Sequence, residues 1–213
     1  MFRRLKRRWG AYRLNDPEYR FLFEHPQDDD VVSIDCETTG LDPRKDEIIS
    51  IAAIKIRGSR ILTSQRFEAM VRPSVRINPD AIKVHRLRER DVAMGRAMAD
   101  VLPNLIKFIG SRPLVGYYLE FDCAMINRYT RRWLRIELPN PRIEVSGLYY
   151  DRKYGDAPPG THFDLSFPSI LRDLRLPQLA QHDAYSDALM TAMMYVSLTD
   201  LAARKVRIAR THL

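Results

Sequence analysis

The stretch Val31–Gly40, VVSIDCETTG, sets two carboxylates around a cysteine inside a run of β-branched and apolar residues. On a strand, side chains alternate between faces, so Asp35 and Glu37 point the same way and Cys36 points into the opposite layer. That spacing leaves the two acids about 6 to 7 Å apart. Ionised carboxylates are costly to bury alone, so the pair faces solvent, meets basic side chains, or holds a cation between its charges. Acid-x-acid spacing is common by chance and does not choose among the three.

The residues around this run set the fold class. A polar loop, TTGLDPRKD, leads into the Ile-rich stretch Glu47–Arg57, EIISIAAIKIR, and after Gly58-Ser59 a third β-rich stretch follows at Ile61–Val71. Three sequential strands joined by short turns predict an antiparallel meander, with the first strand, nearly all apolar apart from its acids, in a central position. Helical spacing then appears in Met98–Gly110, where Pro103 must sit in the first turn or kink the helix. PLVGYYL (113–119) reads as another short buried strand, and Phe121–Ile136 as an amphipathic helix. Asp151–Asp164 reads as a loop, Leu165–Leu174 as a short helix and Ala184–Val206 as a long one. Strands followed by alternating helix and strand describe an α/β domain with a mixed sheet.

The chain has 213 residues, 45% of them hydrophobic and 29% charged, which suits one substantial core. Its net charge of +8 favours polyanionic partners, nucleic acid or an anionic membrane, over a basic surface that is merely solvated. No apolar run is long enough for a membrane span or a secretory signal. The two cysteines, Cys36 and Cys123, lack a zinc-type spacing and read as small buried hydrophobes in a reducing, cytoplasmic setting. The first fourteen residues hold six Lys/Arg and no acid, and a run of acids follows up to Asp30. Residues 1–30 therefore form a basic arm, a short helix with Phe2, Leu5 and Trp9 as its apolar side, ahead of a core at 31–200 and a basic tail at 201–213. The arm is a candidate for contact with nucleic acid, membrane or a protein partner.

Two further acidic places match the first. Asp122 falls in the first turn of a helix that follows a buried strand; the helix dipole alone accounts for an acid there, but the strand end brings it toward Asp35 and Glu37. In QHDAYSDALMTAMMYV, His182 and Asp187 are about 140° apart on an ideal helix. They meet only if His182 lies just before the helix, with Asp183 as N-cap. Asp183 and Asp187 share a face, so spacing leaves open which of them is a ligand. Oxygen donors with one histidine suit magnesium or manganese better than zinc, and paired metals held by carboxylates serve phosphodiester hydrolysis. A histidine beside the attacking water serves as general base.

SIDCETTGLDPRKDEIISIAAI, PLVGYYLEFD and HDAYSDALMTA, in this order, resemble the three motifs of the DEDD 3′-5′ exonucleases, in the subclass with histidine in the last motif. Similarity is greatest to the proofreading epsilon subunits of bacterial replicative DNA polymerase and their free-standing relatives, over about residues 31–200. The resemblance implies a ribonuclease H-like fold with a mixed five-stranded sheet. It implies that Asp35, Glu37, Asp122 and Asp187 hold two Mg2+ or Mn2+ ions, and that His182 is the general base. The family motif places the ligand five residues after the histidine, at Asp187. It also nominates Thr38, Thr39 and Leu41 as contacts of the 3′-terminal nucleotide, and His85, in Val84–Leu87, as a residue near substrate; Arg86 stands where the family usually has glycine. Tyr117-Tyr118 replaces a usual His-Asn pair, which makes Tyr118 a substrate-side residue and puts substrate preference in question. The implied activity is release of nucleoside 5′-monophosphates from single-stranded or frayed DNA. RNA 3′ trimming, a partner-binding subunit of a polymerase or repair assembly, and a catalytically dead binding module are the alternatives.

Overall fold

The computed structural model describes residues 2–158 and 160–210, and for residues 2–6 and 8 the backbone alone. Residues 211–213 of the basic tail, and the Phe2 and Leu5 side chains of the arm's apolar side, therefore lie outside the described residues.

Strands β1 (Val31–Thr38), β2 (Ile48–Arg57) and β3 (Arg60–Met70) form the antiparallel meander that the sequence predicts. A short β4 (Leu114–Gly116) joins the other edge of β1 in parallel, and β5 (Arg142–Glu144) continues beyond it, giving the order β3-β2-β1-β4-β5. β1 thus has a strand on either side, and seven of its eight residues are buried. Alternation sorts them. Val32, Ile34 and Cys36 pack toward helices α4 (Met98–Ile109) and α5 (Leu119–Trp133), while Val31, Ser33, Asp35 and Glu37 face the other layer. That second layer holds α6 (Val145–Lys153), α7 (Phe167–Asp173) and α8 (Ala184–Ala203), packed over Ile56, Val115, Ala52 and Ile54. Cys36 and Cys123 are buried and unpaired.

The segment set apart as an arm has two parts. Helix α1 (Phe2–Arg13) is followed by a 3-10 turn, Pro17–Phe23, whose Tyr19 and Leu22 are buried in the main core. Tyr19 meets Trp133 edge-on at 4.7 Å, and the Asn15 amide donates to the Leu134 carbonyl. Arg112 donates to both Asp28 oxygens at 2.8 and 2.7 Å, and Arg57 to both oxygens of the buried Asp30 at 2.7 and 2.9 Å. Residues 14–30 are therefore integral to the packing, at the end of α5 away from Asp122.

Periodicity does not reveal β5, the short helices α2 (Pro79–His85) and α3 (Glu89–Val92), or α6. Helix α6 runs to Lys153, so the loop expected from Asp151 begins at Tyr154. Its last turn is held because Lys153 donates to the Tyr149 hydroxyl at 3.0 Å and pairs with Asp173 of α7. Pro103 stands in the second turn of α4, inside the helix. Among the described residues no helix is long and apolar enough to cross a membrane.

Candidate active site

The carboxylates meet at the C-terminal end of β1. Asp35 pairs with Ala52 and Glu37 with Ser50 on β2, and the register shifts between Glu37 and Thr38. Such an irregularity turns the strand out of the ladder and re-aims the residues beside it. Ser33, on the same face as Asp35, donates from Oγ to the Ala188 carbonyl of α8 at 2.8 Å. This buried bond pins the N-terminal part of α8 over β1 and brings Asp187 to the two β1 acids. His182 precedes the helix with φ 61°, Asp183 caps it by accepting from the Ser186 amide, and Asp187 accepts from the His182 amide at 2.8 Å. The arrangement that the spacing required of His182 is the one observed.

Glu37, His182 and Asp187 each place one ligand atom within 4.8 Å of the others. Asp35 and Asp122 stand outside this tightest set but share its field. Burial and the neighbouring Asp122, Glu37 and Asp187 charges push the Asp35 carboxyl well above the usual carboxylate range. Burial, then the charges of Asp187 and Asp183, raise Glu37 to about 8. Burial raises Asp122 as well, against hydrogen bonds from the Cys36 thiol and backbone that favour its charged form. Asp187 is raised by burial and partly relieved by the His182 amide. Four acids that repel one another, drawn from three elements with no lysine or arginine among them, are arranged for a cation. Hard carboxylate oxygens with a single imidazole fit a divalent metal ion.

The residues nominated around the substrate divide by environment. Leu41 is 84% exposed and stands free on the loop after β1. Thr38 and Thr39 are buried: the Thr38 hydroxyl donates to the Gly40 carbonyl at 2.7 Å, and that of Thr39 donates to Asp46 and accepts from the Glu47 amide. Both hydroxyls thus build the loop. A Cβ on Gly40 would lie 2.6 Å from the Asp46 carboxylate and would push it off the Thr39 hydroxyl and the Asp42 amide that it accepts from. His85 is buried at the end of α2; its Nδ1 accepts from the Leu87 amide, and Nε2 is turned toward the Thr38 backbone without a bond of regular geometry. Arg86, standing for the family's glycine, has φ 62° and closes α2. Tyr118 has φ 56° and ψ 34° and is 69% exposed, immediately before α5.

Two positioning groups escape the sequence reading. One is Ser33, whose only signal is that it shares a strand face with Asp35. The other is Glu144, which accepts from the Leu119 amide at 3.0 Å and from Ser146, so that one carboxylate caps both α5 and α6. An acid at a strand end just before a helix is the signal for the nearer of those two caps.

The profile of the Exonuclease family matches residues 32–195, and so spans every residue of this constellation. The chain belongs to the Exonuclease family. The DNA polymerase III subunit epsilon of Aquifex aeolicus is 29% identical over 170 residues, covering 79% of this chain and 80% of that protein. The DNA polymerase III PolC-type of Thermotoga maritima is 29% identical over 175 residues, but the chain spans only 12% of its length. Among solved structures, exonuclease X in complex with 5′ overhanging duplex DNA superimposes with a TM-score of 0.61 and 26% identity, over 81% of this chain and 93% of that one. The E. coli ExoI–ssDNA complex, at 16% identity and a TM-score of 0.68, covers 84% of this chain and 42% of its own and shares the fold. The mixed five-stranded sheet is that of the ribonuclease H-like exonucleases.

Proposed function

We propose that this chain is a 3′-5′ exonuclease that removes nucleoside 5′-monophosphates one at a time from single-stranded or frayed DNA. The observation that carries the reading is the convergence of Glu37, His182 and Asp187 within 4.8 Å, beside Asp35 and Asp122, at the end of the central strand. Asp35, Glu37, Asp122 and Asp187 would hold two Mg2+ or Mn2+ ions. Bound there, the ions supply Lewis-acid polarisation of the phosphate and a water of lowered pKa.

The protein's own groups do the rest. His182 is exposed beside the cluster, and its backbone amide is tied to Asp187, so the residue's place is fixed while the ring stays accessible. It takes the proton of the water whose oxygen attacks phosphorus. The P–O3′ bond breaks, the shortened strand keeps a 3′-hydroxyl, and the released nucleotide keeps its 5′-phosphate. Thr38, Thr39, Leu41 and His85 form the wall on which the 3′-terminal nucleotide rests: the two threonines and His85 hold the shape of the loop, and Leu41 presents an apolar surface. Tyr118 belongs to the substrate side at the start of α5.

The net charge of +8 draws a polyanion to this site. The test is digestion of a 5′-labelled single-stranded oligonucleotide in Mg2+ or Mn2+, beside matched duplex DNA and RNA. The wild-type protein shortens the single DNA strand stepwise from its 3′ end. Asp35→Ala abolishes digestion, and His182→Ala slows it by about 10²–10⁴-fold. Full activity of the His182 variant would remove the general-base role.

A further inference from the structure

Six non-glycine residues among those described have positive φ. Arg86, Arg135, Arg175 and Lys205 stand at or directly after the ends of α2, α5, α7 and α8, where a left-handed residue is the ordinary way to close a helix. Tyr118 and His182 instead come just before helices, those that carry Asp122 and Asp187. A bulky side chain is disfavoured in this conformation, whereas asparagine tolerates it. A left-handed aromatic residue directly before the helix that carries Asp122 points to a use for its ring.

Nothing in the start of α5 requires that ring. The side chain of Tyr118 does not cap the helix; Glu144 does. The ring is 69% exposed and leans edge-on against Tyr117 at 4.6 Å. Tyr117 in turn meets Phe167 of α7 at 5.0 Å and donates its hydroxyl to the Leu165 carbonyl at 3.2 Å. The result is a supported aromatic column with one open end. Tyr118 directly precedes the helix whose first turn carries Asp122.

We infer that Tyr118 is a stacking platform for an unpaired base within the last two nucleotides of the 3′ end, and so selects strands whose terminal bases are free. The inference rests on the exonuclease reading above. An aromatic face accepts any base, whereas a base inside a duplex has both faces already stacked.

The test compares the wild-type protein with Tyr118→Asn, Tyr118→Phe and Asp35→Ala in Mn2+. The substrates are three single-stranded DNA oligonucleotides: one intact, one abasic at the 3′-terminal position and one abasic at the penultimate position. Tyr118→Asn keeps the left-handed backbone, so its folding is safeguarded; its Tm equals or exceeds that of the wild type. It lowers kcat/KM on the intact strand by about tenfold or more. On the abasic strand whose missing base is the stacked one, it matches the wild type, and Tyr118→Phe, which keeps the ring, loses less than Tyr118→Asn on the intact strand. An equal loss on all three strands, or no loss on any, overturns the inference. Asp35→Ala tests the parent reading separately, since it abolishes release from all three strands whatever Tyr118 does.

Discussion

Helices α5 and α8 carry the two acids that complete the site, and they begin in opposite ways. Helix α8 is capped from within its own sequence: Asp183 accepts from the Ser186 amide at 3.0 Å and from the Ser186 hydroxyl at 2.8 Å, and Asp187 accepts from the His182 amide. Helix α5 has no cap of its own. Tyr118 is left-handed, and the first amide, of Leu119, is satisfied by Glu144 from 25 residues further along the chain. The same task, placing one carboxylate at the end of β1, is done once by local chemistry and once by tertiary structure. A local cap leaves its helix start self-sufficient, whereas a distant cap frees the residue at the N-cap position for another use, here an exposed ring.

The largest effect concerns what the two helices share. Glu37 stands between them in the field, and burial with the Asp187 and Asp183 charges raises its carboxyl from an ordinary 4.5 to about 8. Between those values the native state keeps a proton that the unfolded chain has lost, so stability must fall as pH rises through this window. Metal-free protein is expected to lose on the order of 3 kcal/mol between pH 5 and pH 8, at about 1.4 kcal/mol per pKa unit less the screening of a partly open site. Thermal melts across this range, with and without Mn2+, measure it; Mn2+ and Glu37→Gln each flatten the fall. A decline just as steep in Glu37→Gln would mean that the cluster does not act as one charge system.

Cutting each cap in turn separates the two helix starts. Glu144→Ala leaves amides bare at the starts of both α5 and α6 and should cost about 2–3 kcal/mol. Asp183→Ala removes one local cap and should cost about 1 kcal/mol. Urea titrations of the two variants give the difference directly. Equal losses would show that Glu144 acts on one helix only.

The same contrast explains what could be read from the sequence. β1, β2 and β3 are long runs with clear β character, and α8 announces itself by its length and its Asp183 cap, so the shared face of Asp35 and Glu37 followed from alternation and the place of His182 before the helix from spacing, whereas the choice of Asp187 over Asp183 came only with the resemblance to the exonuclease motifs. β5 is three half-buried residues, Arg142–Glu144, and carries no periodic signal; its position came only with β4 beside it. The cap on Leu119 was illegible for that reason, because Glu144 reaches α5 only once β5 lies against β4. The packing of residues 14–30 was hidden behind their charge: Asp28 and Asp30 read as part of an arm ahead of the core, and their partners Arg112 and Arg57 are far away in sequence. The strain at Tyr118 had an indirect sign, a tyrosine where related motifs have asparagine.

The smallest expected effect settles the point that helical spacing left open, whether Asp183 or Asp187 is the ligand. In the structure Asp183 spends one carboxylate oxygen on Ser186 and contributes to the site only through its charge, which raises Glu37 and Asp35. Asp187 contributes a ligand atom to the tight set with Glu37 and His182. Asn and Asp cap helices about equally well, so Asp183→Asn should change stability by no more than about 0.5 kcal/mol. Its removal of one negative charge should ease the ionisation of Glu37, so that the fall in stability ends at a slightly lower pH, and should leave digestion of single-stranded DNA largely intact. Asp187→Asn, one helical turn away and just as conservative in shape, should abolish digestion. If Asp183→Asn were the inactive variant, the local cap of α8 would itself be part of the metal cage, and the division of labour between the two aspartates would be reversed.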